Sequence, residues 1–164
     1  MIFLIVAYAK NNVIGKNGHI PWDLPQDRQH FKELTFGNVV IMGRRTFEEI
    51  FEKFGRGLPG RETIILSKSK KYEGDNYRTV SSFKEAMVFA QKNFPQKDIF
   101  ICGGESVYKE AMSQAIVQKI FITYIEEKIE GDAFFPKFDF AKYQIEEKQT
   151  FDSPVKFSFI TFRR

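Results

Sequence analysis

The chain has 164 residues, 43% of them hydrophobic and 28% charged. That suits one domain with a real core and excludes a disordered chain. Twenty-five basic against 21 acidic residues leave a net charge of +4, interspersed rather than gathered in a run, which argues against nucleic acid and for an anionic small ligand. The single cysteine, Cys102, excludes an internal disulfide and points to a reducing, cytoplasmic compartment; with only His19 and His30 beside it, a structural zinc site is excluded too.

The first element is Ile2–Ala9, a continuous apolar run. It is too short to cross a membrane and reads as a strand buried on both faces. Asn11–Leu24 carries Asn11, Asn12, Gly15, Asn17, Gly18 and Pro21 and reads as a loop, long enough that a function is expected of it. Pro25 then opens a helix to Thr35, stopped by Gly37-Asn38. A strand over Val39–Met42 and a helix over Arg44–Phe54 follow. Beyond the glycine-rich turn at 55–60 come strands at Thr63–Leu66 and Tyr77–Val80. Ser82 caps a helix over Phe83–Asn93, with Glu85 in the capping-box position. Ile99–Cys102 reads as a strand, Gly103-Gly104 as a turn, Ser106–Ser113 as a helix and Val117–Tyr124 as a strand.

This alternation predicts a mostly parallel sheet covered on both faces. The end differs. Ile145–Phe151 and Lys156–Arg163, joined by Asp152-Ser153-Pro154, read as an antiparallel hairpin closing one edge, packed by Phe157, Phe159 and Phe162. The site is expected at the carboxyl ends of the parallel strands.

Four constellations fall there. Asp27 lies in the first helical turn and shares a face with Phe31 and Leu34. It reads either as a carboxylate stabilising a helix start, or as one in an apolar cleft that accepts N–H donors from a heterocycle with a raised pKa. Gly43-Arg44-Arg45-Thr46 and Gly103-Gly104-Glu105-Ser106 each join a strand to a helix through glycine, where free N–H groups suit phosphate; an ordinary tight turn is the alternative. Leu66-Ser67-Lys68 ends a strand with a hydroxyl and a cation, or is a plain surface turn. Three such strand ends suggest a dinucleotide. No G-x-S-x-G, H-E-x-x-H or Cys–His–Asn set supports hydrolysis, and Cys102 fits a small core residue.

Taken together, the segments resemble dihydrofolate reductase over nearly the whole chain. The motifs are Val13-Ile14-Gly15, Ile20-Pro21-Trp22-Asp23-Leu24-Pro25-Gln26-Asp27, Val40-Ile41-Met42-Gly43-Arg44-Arg45-Thr46-Phe47 and Leu58-Pro59-Gly60-Arg61. Later come Gly103-Gly104-Glu105-Ser106-Val107-Tyr108 and Glu130-Gly131-Asp132-Ala133-Phe134-Phe135-Pro136. The resemblance implies a single α/β domain over residues 1–164: an eight-stranded, mostly parallel sheet with a C-terminal antiparallel hairpin and about four helices. It implies NADPH-dependent reduction of 7,8-dihydrofolate to tetrahydrofolate, in a site that antifolate inhibitors would occupy. No partner motif is visible, so a cytoplasmic monomer is expected, with no membrane or nucleic acid as partner.

The resemblance also implies roles. Asp27 pairs with the pterin, with Thr123 supporting that contact and Trp22 beside it. Ile5, Val6, Ala7 and Phe31 line the pterin pocket, with Cys102 behind it. Arg61 holds the α-carboxylate of the glutamyl tail, assisted by Lys32. Gly43, Arg44, Arg45, Thr46, Leu66, Ser67 and Lys68 hold the phosphates of the cofactor. Gly103, Gly104, Glu105, Ser106 and Val107 pass along it, with a cis peptide between the glycines, and Tyr108 and Ala7 lie near the nicotinamide. Ile14, Gly15, Gly18 and Ile20 belong to a mobile lid over Asn11–Leu24.

Some positions depart from the family pattern. Ile20 stands where some members have Met, and Arg28 where an apolar residue is common. Phe51–Gly57 is longer than in the shortest members, and Glu105 brings a negative charge to a phosphate site, so its side chain is expected to point outward. A reductase of a ribityl-aminopyrimidine on the same fold, or a non-catalytic nucleotide- or RNA-binding module, are the alternatives; Asp27, Thr123 and Arg61 together argue against the first, and the intact acid at Asp27 against the second.

Overall fold

The computed structural model describes residues 1–164. In chain order the elements are β1 (Ile2–Ala9), β2 (Val13–Gly15), α1 (Pro25–Thr35), β3 (Val39–Gly43), α2 (Arg44–Phe54), β4 (Glu62–Leu66), β5 (Glu73–Gly74) and β6 (Tyr77–Val80). They continue as α3 (Phe83–Asn93), β7 (Ile99–Ile101), α4 (Glu105–Ser113), β8 (Lys119–Ile125), β9 (Ala133–Phe134), a 3₁₀ turn at Phe140–Lys142, β10 (Gln144–Phe151) and β11 (Phe157–Arg163). The main sheet runs β10-β11-β8-β1-β7-β3-β4-β6-β5. Within it the pairs β10–β11, β11–β8 and β5–β6 are antiparallel and all others parallel, so only β11 and β5 run against the rest.

The sheet has nine strands rather than eight, because Glu73–Gly74 adds a two-residue edge strand beside β6. Two exposed residues carry no apolar pattern, so nothing local announces it. The loop over Asn11–Leu24 also holds structure. Val13–Gly15 pairs with Ala133–Phe134 in a separate two-stranded sheet, and Lys16 bridges His19. Both pairings join distant or very short segments, which periodicity does not detect. Elsewhere the expected boundaries shift by a residue or two; β8 starts at Lys119 rather than Val117.

The central strands are buried on both faces, as their unbroken apolar runs require. Leu4, Ile41, Ile64, Ile101 and Ile120 join one core with α3 and α4, while Phe3, Val40, Met42, Ile65 and Phe100 join the other with α2. A third cluster, Leu24, Ile125 and Phe157, closes the hairpin edge beneath Trp22. Ser82 Oγ caps α3 by accepting from Glu85 N at 3.1 Å. The return arm of the expected box goes one residue further back: the Glu85 carboxylate accepts from Ser81 N and Ser81 Oγ. No helix is long and apolar enough to cross a membrane.

One feature of register positions the site. β1 pairs with β8 over Phe3–Ala9 but with β7 only over Ile2–Leu4. Beyond Leu4 the two strands part, at the point where connections run to opposite sides of β1. The carboxyl half of β1 therefore forms one wall of a cleft, and the ends of β7 and β3 form the other.

Candidate active site

A single cleft of about 1690 Å³ opens there. This exceeds the usual room for one small ligand and suits two lying side by side. It is lined by every residue singled out above: Ile5, Val6, Ala7, Ile14, Gly15, Gly18, Ile20, Trp22, Asp27, Phe31, Lys32, Gly43 to Thr46, Arg61, Leu66 to Lys68, Cys102 to Tyr108, and Thr123.

Asp27 projects from the first turn of α1, which Pro25 starts and no side chain caps. Its Oδ1 accepts the hydroxyl of Thr123 at 2.6 Å. Thr123 is buried on β8, opposite Ala7 of β1. Burial pushes the Asp27 carboxyl up, and the Thr123 bond and the nearby His30 and Arg28 only partly offset this. The hydroxyl fixes the plane of the carboxylate and leaves the second oxygen open to the cleft. One turn on, His30 stacks on Phe159 with centroids 3.9 Å apart. Phe159 is the cross-strand neighbour of Thr123, so α1 is pressed onto the strands that hold Asp27.

Arg61 is 5% exposed. Its Nη1 donates to Thr35 Oγ1 at 3.4 Å, and its Nε has no partner. Burying an arginine without a carboxylate is costly, and the arrangement fits a planar anion that completes the fork. Cys102 donates to the Phe100 carbonyl at 3.3 Å, and burial pushes its thiol up, which fits a small core residue. Tyr108 is buried, and its hydroxyl donates to the Ile5 carbonyl at 2.8 Å. It props the pocket wall rather than offering its oxygen to the cleft.

At the other end, α2 and α4 both begin without a side-chain cap. Their starts face each other, joined by Gly43 N donating to Gly103 O at 2.8 Å. The Gly103–Gly104 peptide is cis, and Gly103 has φ 108°, a region open to glycine. Two uncapped helix starts beside Arg44, Arg45 and Lys68 form a donor set that fits a pyrophosphate with an additional phosphate. Glu105 turns away: its carboxylate accepts from Phe134 N at 2.9 Å and faces Lys109. Arg28, which also lines the cleft, pairs with Asp23.

The lid is fastened at its base. Asn17 N donates to the Asp132 carboxylate at 3.0 and 3.2 Å, and Asp132 N donates to Gly15 O at 3.0 Å. Near its tip, Ile20 N donates to Glu49 Oε1 at 3.0 Å, while the Ile20 side chain is 53% exposed.

The cleft also contains residues that sequence reasoning missed, among them Glu49, Ile50, Ser81, Ser82 and Asp132. Ser81-Ser82 could have been found, because it joins β6 to α3 as Gly43-Arg44 joins β3 to α2. Asp132 lies in the Glu130–Pro136 motif, but its place in the site depends on the β2–β9 pairing, which the motif does not encode.

The dihydrofolate reductase family model matches residues 1–164. The chain is 36% identical over 159 residues to a type 3 dihydrofolate reductase of Salmonella typhimurium, covering 97% of this chain and 93% of that one. It is 33% identical over 168 residues to the dihydrofolate reductase of Bacillus subtilis, covering 100% and 95%. Its fold superposes with a TM-score of 0.87 on dihydrofolate reductase from Enterococcus faecalis complexed with NADP(H) and RAB-propyl, at 32% identity, covering 100% of this chain and 96% of that one. With the Asp27–Thr123 pair, the unpartnered Arg61 and the facing helix starts in one cleft, the chain belongs to the dihydrofolate reductase family.

Proposed function

We propose that residues 1–164 act as one catalytic domain that reduces 7,8-dihydrofolate to 5,6,7,8-tetrahydrofolate, consuming NADPH and a proton and releasing NADP⁺. The observation that carries this reading is the half-buried Asp27 carboxylate, oriented by Thr123 at 2.6 Å in a cleft that Ile5, Val6, Ala7 and Phe31 also line. NADPH supplies the hydride, which goes to C6 of the pterin.

The chain supplies placement and electrostatics. Asp27 accepts the 2-amino and N3 hydrogens of the pterin, and its negative charge favours protonation at N5, with the proton arriving through water. Ile5, Val6, Ala7 and Phe31 pack the ring, with Cys102 at the back of the pocket. Trp22 and Tyr108 hold the surrounding wall. Arg61, with Lys32 nearby, takes the α-carboxylate of the glutamyl tail. Gly43, Arg44, Arg45, Thr46, Leu66, Ser67 and Lys68 hold the phosphates, while Gly103, Gly104, Glu105, Ser106 and Val107 let the dinucleotide lie close to the backbone. The lid, with Ile14, Gly15, Gly18 and Ile20, excludes water when it closes.

The single cysteine supports a cytoplasmic location, and the pterin pocket is one that antifolate inhibitors would fill. The test follows NADPH absorbance with dihydrofolate as substrate: steady oxidation of NADPH supports the reading, and folded protein that shows none overturns it. Running a ribityl-aminopyrimidine in parallel separates the alternative reductase.

A further inference from the structure

Arg44 is not free in the cleft. Its Nη1 donates to Glu48 Oε1 at 2.9 Å, one turn along α2. On an open helix such a pair is worth a few tenths of a kcal/mol and fixes little. Here the second oxygen of Glu48 is also engaged, because Tyr72 donates its hydroxyl to Glu48 Oε2 at 2.5 Å. Tyr72 is itself immobilised: its N donates to Thr79 Oγ1 at 2.8 Å and its carbonyl accepts from the same hydroxyl at 3.0 Å. Its ring packs against Phe47 of α2 with centroids 5.4 Å apart.

The bridge therefore ties α2 to the stretch after β4 that carries Ser67 and Lys68. It holds the Arg44 guanidinium on a carboxylate anchored to Tyr72, four residues beyond Lys68, and Arg44, Ser67 and Lys68 all line the cleft. The Tyr72 bond and Arg44 keep the Glu48 carboxyl below its ordinary range. An arginine has five donors, and holding one on Glu48 leaves Nε and Nη2 for an anion.

We propose that Glu48 and Tyr72 are positioning residues that present Arg44 to the 2′-phosphate of the adenosine, and so set the preference for NADPH over NADH. This rests on the cofactor reading above. The 2′-phosphate is the one group that separates the two dinucleotides, so a residue acting only through Arg44 affects one and spares the other. The opposite role, in which Glu48 competes with phosphate for Arg44, predicts the opposite sign.

Calorimetric binding of NADP⁺, NAD⁺ and adenosine 2′,5′-bisphosphate to the full chain decides between them. Glu48→Gln is expected to raise the Kd for NADP⁺ and for the bisphosphate about tenfold, and Tyr72→Phe about threefold, with the Kd for NAD⁺ unchanged. Tyr72→Phe keeps the ring on Phe47, so its thermal midpoint should match the parent. Equal weakening of NADP⁺ and NAD⁺, no change, or tighter NADP⁺ binding overturns the clamp. A parent protein that fails to prefer NADP⁺ over NAD⁺ overturns the cofactor reading itself, which separates the two failures.

Discussion

At the scale of single residues, the site holds groups that folding alone would not favour. Burial raises the Asp27 carboxyl above its unfolded value, so between those two values the folded chain binds the extra proton. The carboxyl therefore supports stability at the acid end and loses that support as pH rises through its folded pKa. Asp27→Asn removes the cost while its amide oxygen still accepts from Thr123. It is expected to melt at or above the parent at pH 7, by up to ~1–2 kcal/mol in chemical denaturation. Turnover at pH 7 should fall by about 10²–10⁴-fold, and by less toward acid, where substrate is more easily protonated. A mild, pH-independent loss would refute the role given to Asp27. Arg61 follows the same logic. Its buried guanidinium lacks a carboxylate partner within the chain. Arg61→Ala should raise KM for dihydrofolate by about 10–100-fold with the KM for NADPH little changed, measured by steady-state kinetics. Equal effects on both would count against tail binding.

At the scale of elements, the lid is a long segment held at two places. Its base depends on Asp132, which accepts from Asn17 N, and on the close approach of Gly131. A Cβ on Gly131 would lie 2.3 Å from Val13 Cγ1 and 2.6 Å from Gly15 O. Neither β2 nor the backbone of Gly15 can yield that far without moving the lid. Asp132→Ala is expected to speed amide exchange at Asn17 and its neighbours, and to lower turnover, while the thermal midpoint stays within a few degrees of the parent. Loss of global stability instead would make Asp132 a structural residue. The sequence shows Asn11–Leu24 as a long connection and Pro25 as a helix start, because composition and proline geometry are local. It does not show β2, because three residues form a strand only when Ala133–Phe134 arrives beside them.

At the scale of the whole molecule, the antiparallel hairpin supports the far wall of the site. β11 pairs with β8 from Phe157 opposite Ile125 to Arg163 opposite Lys119, and so backs the strand that carries Thr123. Phe157 is fully buried against Leu24 and Ile125, beneath the end of the lid. Phe157→Ala is expected to cost ~3–5 kcal/mol in chemical denaturation, which is about 6–20 °C in thermal midpoint for a chain of this size. If the truncation costs under ~1 kcal/mol, the hairpin is not part of the cooperative core.

The sequence by itself determined the order and type of the main elements, since period, glycine turns and a proline at a helix start act within a few residues. It also placed the charged and glycine positions at strand ends, and the family motifs carried the chemistry with them. Tertiary structure alone decided which strand ends share one cleft. The parting of β1 from β7 after Leu4 sets the width of the cleft, the Thr123 hydroxyl orients Asp27 from 96 residues away, and Glu48 joins Arg44 to Tyr72. These depend on register and on contacts between distant segments, and no local pattern of residues encodes either.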